Sequence, residues 1–179
     1  SILRKEHNFQ NVAANVGLGY DNNQPISGKF NLAFAHRSPQ VHELYSRGLH
    51  QSLASIEEGN DNLKKEISTK ASFDAKWKPF HDGQINVGIY YHNINDFIYL
   101  VPSSEKRITV RGTFPVFQYR QADVYIKGVD FLYNQSINHH YELIVKASTL
   151  KGVNKKNKSG LIYMPPFNAG FGFSYINEK

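Results

Sequence analysis

Read at a period of two, the chain resolves into about seven strands of alternating apolar and polar residues. In "NVAANVGLGYD", Val12, Ala14, Val16, Leu18 and Tyr20 share one face, and Asn11, Ala13, Asn15, Gly17 and Gly19 share the other. "GKFNLAFAHR" sets Phe30, Leu32 and Phe34 against Asn31, Ala33 and Ala35. The alternation is cleanest in "ISTKASFDAKW", where Ile67 to Trp77 at odd positions oppose Ser68, Lys70, Ser72, Asp74 and Lys76. "QINVGIYYHNINDFIYL" follows a "FHDG" turn, and "FQYRQADVYIKGVDFLYNQSI" joins "YELIVKASTL" through "NHH". "FNAGFGFSYI" closes the series with Phe167, Ala169, Phe171, Phe173 and Tyr175 in step. This register predicts that Phe73, Ala75, Trp77, Ile85, Val87 and Ile89 lie on one face and Lys70, Asp74 and Lys76 on the opposite one.

The connections between these strands run about 6, 28, 4, 15, 3 and 13 residues, so short and long ones alternate. An up-and-down membrane barrel with short turns on one side and long loops on the other has this rhythm. A soluble antiparallel sheet with one solvated face shares the alternation but not the rhythm. Tyr20, Trp77, Tyr91, Tyr141 and Tyr175 stand near strand ends, where an aromatic girdle sits. The expected architecture is therefore all-β, an up-and-down antiparallel transmembrane β-barrel segment. The turns near Asn22–Ser27, Phe80–Gly83 and Asn138–His140 are expected at one end. The insertions Arg37–Ser68, Pro102–Pro115 and the one containing "NKKNKSGLIYMPP" are expected at the other.

Composition narrows the classes. Apolar residues make up 40% of the 179 residues, and no apolar run reaches the ~18 residues of a spanning helix. A helical membrane protein is excluded, whereas a barrel hides from hydropathy. There is no cysteine, hence no disulfide framework and no thiolate metal site. The net charge of +6 is scattered, with only Lys155–Lys158 clustered, which argues against a nucleic-acid footprint. "SILRKEHNFQ" lacks the basic-then-apolar pattern of a signal peptide, so the sequence is read as cytosolic or as an internal piece of an exported chain. No nucleophile elbow, phosphate-cradling glycine loop or His-Glu-x-x-His is present, and the expectation is that the chain is not an enzyme.

The long first insertion carries the candidate chemistry. His36, His42, Glu43, His50, Glu57 and Glu58 fall within about 23 residues of it. Imidazole with carboxylate can hold zinc or another transition ion, or supply an axial haem ligand. Their spacing is irregular, and solvated loop histidines are the plainer reading. Arg37 and Glu43 are candidates for ligand contact or for a structural pair fixing the loop base, the second being favoured. Lys106, Arg107, Arg111, Lys155, Lys156 and Lys158 are either attractors of an anionic siderophore or of lipopolysaccharide phosphates, or solvated loop charge, the last being favoured. His92 and Asp96, four apart in a strand, are expected to face the lumen together.

The order of "FAHRSPQVHELYSRGLH", "EEGNDNLKKEIS" and an alternating strand resembles the C-terminal barrel region of TonB-dependent outer-membrane receptors. Arg37, Pro39, Glu43, Leu44, Tyr45, Gly59, Asn60, Leu63 and Glu66 occupy the matching positions, while Asp61 and Lys65 stand where that family usually has proline. Gly128 and Asp130 in "YRQADVYIKGVDFLY", and "YMPPFNAGFGFSY", extend the resemblance over about Asn11 to Tyr175. It implies a complete barrel of about twenty-two strands, of which this chain would be about a third, with a plug domain that is not in this chain. It further implies a place in the outer membrane of a Gram-negative bacterium and uptake of a ferric siderophore, haem, zinc, cobalamin or another metal complex as cargo. The inner-membrane TonB complex would energise uptake through the missing plug. Arg37, His42, Glu43, Tyr45 and His50 become the candidate ligand-binding residues of an extracellular loop, with His42 and His50 the candidate metal ligands. No intrinsic cofactor is expected. The alternative is a soluble all-β ligand-binding module of carbohydrate-binding sandwich type. An isolated segment with unpaired edges is expected to self-associate.

Overall fold

In the computed structural model, residues 6–21, 25–138, 140–162 and 164–175 are described. The strands are β1 (Ala13–Tyr20), β2 (Ile26–Arg37), β3 (Arg47–His50), β4 (Ser55–Glu58), β5 (Glu66–Phe80), β6 (Gly83–Thr109), β7 (Gly112–Ile137), β8 (Tyr141–Asn154) and β9 (Asn168–Tyr175). One short helix, α1 (Val41–Tyr45), precedes β3. The seven long strands are neighbours in the order β1-β2-β5-β6-β7-β8-β9, and β3–β4 is a small hairpin joined to β7. No described helix is long and apolar enough to cross a membrane, which says nothing of crossing by strands.

The chain divides into two compact units. The wall unit comprises Ala14–Phe34, Ser68–Asn93 and the chain from Val124. The loop unit comprises the chain up to Ala13, Ala35–Ile67 and Ile94–Asp123.

In the wall unit the predicted facing is observed. Val16, Leu18, Phe73, Trp77, Ile89, Phe171 and Phe173 are all exposed large apolar residues. The opposite face is polar and close-packed: a Cβ placed on Gly88 would meet Asp74 Oδ1 at 3.2 Å and Asp130 Cβ at 3.8 Å. The Lys70 ammonium lies 5.2 Å from the Tyr90 ring centre, and that ring covers Gly128. A cleft of about 530 Å³ is lined by Lys29, Asp74, Lys76 and Asp130 together with Ala75, Val87, Phe131 and Leu132. Apolar side chains outside and ion-bearing side chains within are the inverse of a water-soluble sheet, and suit a wall that meets lipid on one side and a wet lumen on the other.

Lys78 N–H donates to Pro25 O at 2.6 Å, and Ser136 N–H to Asp82 O at 3.0 Å. These bonds bring the three short turns to one end of the wall unit; residues 22–24 and 139 of the first and third turns lie outside the described residues. Asn138 takes φ 62°, the left-handed conformation of a tight turn. From there β8 runs to the third insertion, which is a compact turn: Asn154 Oδ1 accepts from Lys156 N–H at 2.9 Å, and Leu161 N–H donates back to Gly152 O.

The second insertion departs from expectation. Instead of looping out over Pro102–Pro115, β6 and β7 continue as paired strands and turn only at Val110–Arg111. β6 runs for 27 residues without interruption. Pro102 and Pro115 are accommodated within these strands. Within β6, Asp96 takes φ 56°, the left-handed conformation of a strand irregularity.

Candidate functional site

Arg37 ends β2 and Glu66 begins β5, two neighbouring strands of the sheet. The Arg37 guanidinium grips Glu66 with a two-toothed fork, Nε to Oε2 at 2.6 Å and Nη2 to Oε1 at 2.8 Å. It also reaches Glu43 in α1 through Nη1 and Nη2, each at 3.1 Å. Glu43 and Glu66 are each only 7% exposed. Two buried carboxylates repel each other unless a cation lies between them, and arginine's planar fork suits that place better than lysine's point charge. Their remaining lone pairs are used as well: Gln40 N–H donates to Glu43 Oε2 at 2.7 Å, and Ile98 N–H to Glu66 Oε1 at 2.7 Å. The hydrogen bonds it donates to Glu66, and then those to Glu43, hold the guanidinium above its already high range of ionisation against the opposing effect of burial.

Around this clamp the first insertion is a folded body. Leu44, Leu63 and Ile98 form its buried centre, covered by Phe9, Tyr45 and Tyr119. Gly59 passes so close to α1 that a Cβ there would lie 2.5 Å from the Leu44 carbonyl carbon and the Tyr45 nitrogen. Its N–H donates to Ser46 O at 2.7 Å, and Asn60 N–H to Glu43 O at 2.8 Å. The hairpin β3–β4 then adds to β7 in parallel, Ile56 opposite Val116 and Glu58 opposite Gln118. Arg107 and Gln118 both donate to Glu58, which holds its carboxyl below the usual range, the Arg107 hydrogen bond being the larger cause. The Gln121 amide donates to Lys64 O and Asp96 O, each at 2.8 Å, and accepts from Lys64 N–H at 2.9 Å.

Arg37 and Glu43 are thus brought together, as a loop-base pair. Tyr45 packs beside His7, ring centres 5.9 Å apart. His42 is exposed and stands edge-on to Tyr119 at 5.8 Å. Tyr119 in turn donates to the buried Glu57 at 3.0 Å, and its phenol is pushed up to about 12 by burial and then by that bond. His50 is exposed, with Nδ1 3.0 Å from Ser52 Oγ. The two histidines therefore have separate partners. Among the described residues no group of three or more His, Asp or Glu is placed to hold a metal ion. Sequence reasoning did not assign roles to Glu66, Tyr119 or Gln121. Glu66 lies 29 residues from Arg37, and only the pairing of β2 with β5 brings the two together.

Comparison with known proteins agrees with this architecture. A family model described as TonB dependent receptor-like, beta-barrel matches residues 4–179. Among solved structures, the chain is similar to the copper transporter OprC, with a TM-score of 0.71 and 23% identity over 91% of this chain and 24% of that one. It is similar to the siderophore receptor PirA from Pseudomonas aeruginosa, at 0.61 and 14% identity over 79% of this chain and 28% of that one. The siderophore receptor PirA from Acinetobacter baumannii matches at 0.64 and 11% identity over 92% of this chain and 26% of that one. The chain spans about a quarter of the length of these structures. A sequence comparison with curated proteins returned no match.

Proposed function

The chain belongs to the TonB-dependent receptor β-barrel family, and from that premise we propose that it is wall and loop of a Gram-negative outer-membrane receptor for a scarce metal-bearing nutrient. The cargo is a ferric siderophore, haem or another metal complex, and uptake is driven by the TonB complex acting on a plug domain within the barrel. The role is capture and passage of cargo, with no bond made or broken in it. The observation that carries this reading is a folded loop clamped to strands whose continuation exposes apolar side chains outward and ionic ones inward. Loops on a rigid scaffold are where binding surfaces reside. The similar structures, a copper transporter and two siderophore receptors, support a metal-bearing cargo.

Within this reading the loop residues divide into two groups. Arg37 turns its donors on Glu43 and Glu66, so it is a positioning residue that sets where α1 stands. His42 and His50 are exposed and remain the candidates for contact with cargo, while Tyr45 packs against the buried centre of the insertion. The test is growth of a strain deleted for the full-length gene on single sources of iron, haem, copper, zinc or cobalamin. Loss of growth on one source, rescued by the gene and weakened in His42→Ala/His50→Ala at equal surface abundance, supports the proposal. Normal growth of the deletion strain on every source contradicts it.

A further inference from the structure

The ladder between β7 and β8 runs unbroken from Ile137 opposite Tyr141 to Val124 opposite Asn154. Residues directly opposite in an antiparallel ladder point to the same side, with Cβ atoms about 4.5–5.5 Å apart. On the outward face, the pairs from Ile137–Tyr141 to Val129–Thr149 carry no charge, and the next pair is Lys127–Lys151. That this face is the outward one follows from its neighbours: Gly128 and Asp130 turn the other way, toward Tyr90 and Gly88. Like charges directly opposite are destabilising when nothing lies between them. Both lysines are exposed, and among the described residues no ion pair involves either.

Their height along the wall says what meets them. Ten residues of strand from Ile137 to Lys127 rise about 34 Å, or about 24 Å along the membrane normal at a tilt near 45°, against an apolar band of about 25 Å. The lysines therefore stand at the far rim of the band, where headgroups begin. One pair further on, Tyr125 stacks on Tyr91 with ring centres 5.8 Å apart, an aromatic girdle at the same level. The other rim carries Tyr141 against Tyr175 at 5.3 Å.

We propose that Lys127 and Lys151 form an outward-facing site for the phosphate of an anionic lipid, in the leaflet on the side of the third insertion. The inference rests on the membrane-barrel reading above. A phosphate offers several acceptor oxygens and negative charge to two ammonium groups at once. At this height the two ammonium groups can reach the headgroup level while their methylene stems cover apolar surface. The acyl chains, which a free anion lacks, lie against the apolar band below.

The test is native mass spectrometry of the full-length receptor in detergent, titrated with dioleoyl phosphatidic acid, dioleoyl phosphatidylcholine or inorganic phosphate. Preferential binding of phosphatidic acid is expected, weakened about thirtyfold in Lys127→Gln/Lys151→Gln, the product of roughly fivefold for each lysine near an anionic surface. The turn variant Lys156→Gln/Lys158→Gln should keep the parent affinity. Lys151→Glu, which pairs with Lys127 across the ladder, should lose the lipid and unfold at a higher temperature in lipid-free detergent, and it gives the answer if the glutamine variant folds poorly. Unchanged affinity in both Lys151 variants, an equal loss in the turn variant, or equal competition by inorganic phosphate overturns the site. Cargo uptake by the same variants separates the two readings. Lipid binding without uptake of any cargo sinks the receptor function alone, and uptake without lysine-dependent lipid binding sinks this site alone.

Discussion

Arg37→Met removes the guanidinium and keeps much of the side chain's bulk. Glu43 and Glu66, each 7% exposed, are then left facing each other without a cation. Removing one partner of a buried ion pair costs about 3–5 kcal/mol. The Arg37 side chain is itself 39% exposed, which favours the lower end, about 3 kcal/mol. At 1.4 kcal/mol per factor of ten, that raises the opening equilibrium of the insertion about 150-fold. Hydrogen exchange of the full-length receptor reads this directly at the amides of Gly59 and Asn60, which bond across the folded insertion to Ser46 O and Glu43 O, and at Leu44, which bonds Gln40 O within α1. Those amides should exchange about 150-fold faster, while wall amides such as Ile144, in the β8–β9 ladder, keep the parent rate. Arg37→Met/Glu43→Gln/Glu66→Gln should recover most of the protection, because no buried charge remains and each amide oxygen can still accept a backbone N–H. Parent-like exchange in the single variant, or a triple variant no better than the single one, would refute the reasoning.

Gly128→Ala pushes a Cβ into the Tyr90 ring and should cost about 1–3 kcal/mol, read as a lower temperature for heat-modified migration of the folded barrel; adding Tyr90→Ala should restore part of it. Glu58 has its folded pKa lowered by Arg107 and Gln118, so it contributes stability above its unfolded value of about 4.3, and this is lost as pH falls through the folded one. With the intrinsic rate divided out, protection of the β3–β4 hairpin amides should accordingly fall in acid, and Arg107→Gln should flatten that dependence. The segment of residues 1–179 alone, with its outward apolar face uncovered, should scatter light as an assembly in detergent-free buffer; a stable monomer would favour a soluble sheet.

The wall was legible in the sequence because period-two alternation follows from strand geometry and needs no distant partner. Phe73 and Trp77 face outward together for the reason their spacing suggested, and Val145 meets Phe171 as their shared parity required. Shorter elements were not legible. α1 has five residues, far below what holds a helix by itself, and it exists because Leu44 packs on Leu63 and Ile98 while Glu43 is held by Arg37. β4 depends on Val116, a neighbour 60 positions away in the chain. The outer halves of β6 and β7 read as a loop because two prolines and a polar run interrupt the apolar pattern. There β4 pairs with part of β7. At the site, the Arg37–Glu43 pair was visible at a spacing of six residues. Its second carboxylate, Glu66, appeared as a motif position but took its role only from strand pairing.

The central claim is an up-and-down membrane wall whose third insertion faces outward and whose Phe80–Gly83 turn faces inward. These residues contain no cysteine, so single cysteines report position directly. Lys156→Cys and His81→Cys, each placed in the full-length receptor with any cysteine elsewhere replaced, are exposed to a membrane-impermeant maleimide on intact cells. Position 156 should label on intact cells, and position 81 only after the outer membrane is opened. Labelling of both on intact cells, or of position 81 alone, would contradict it.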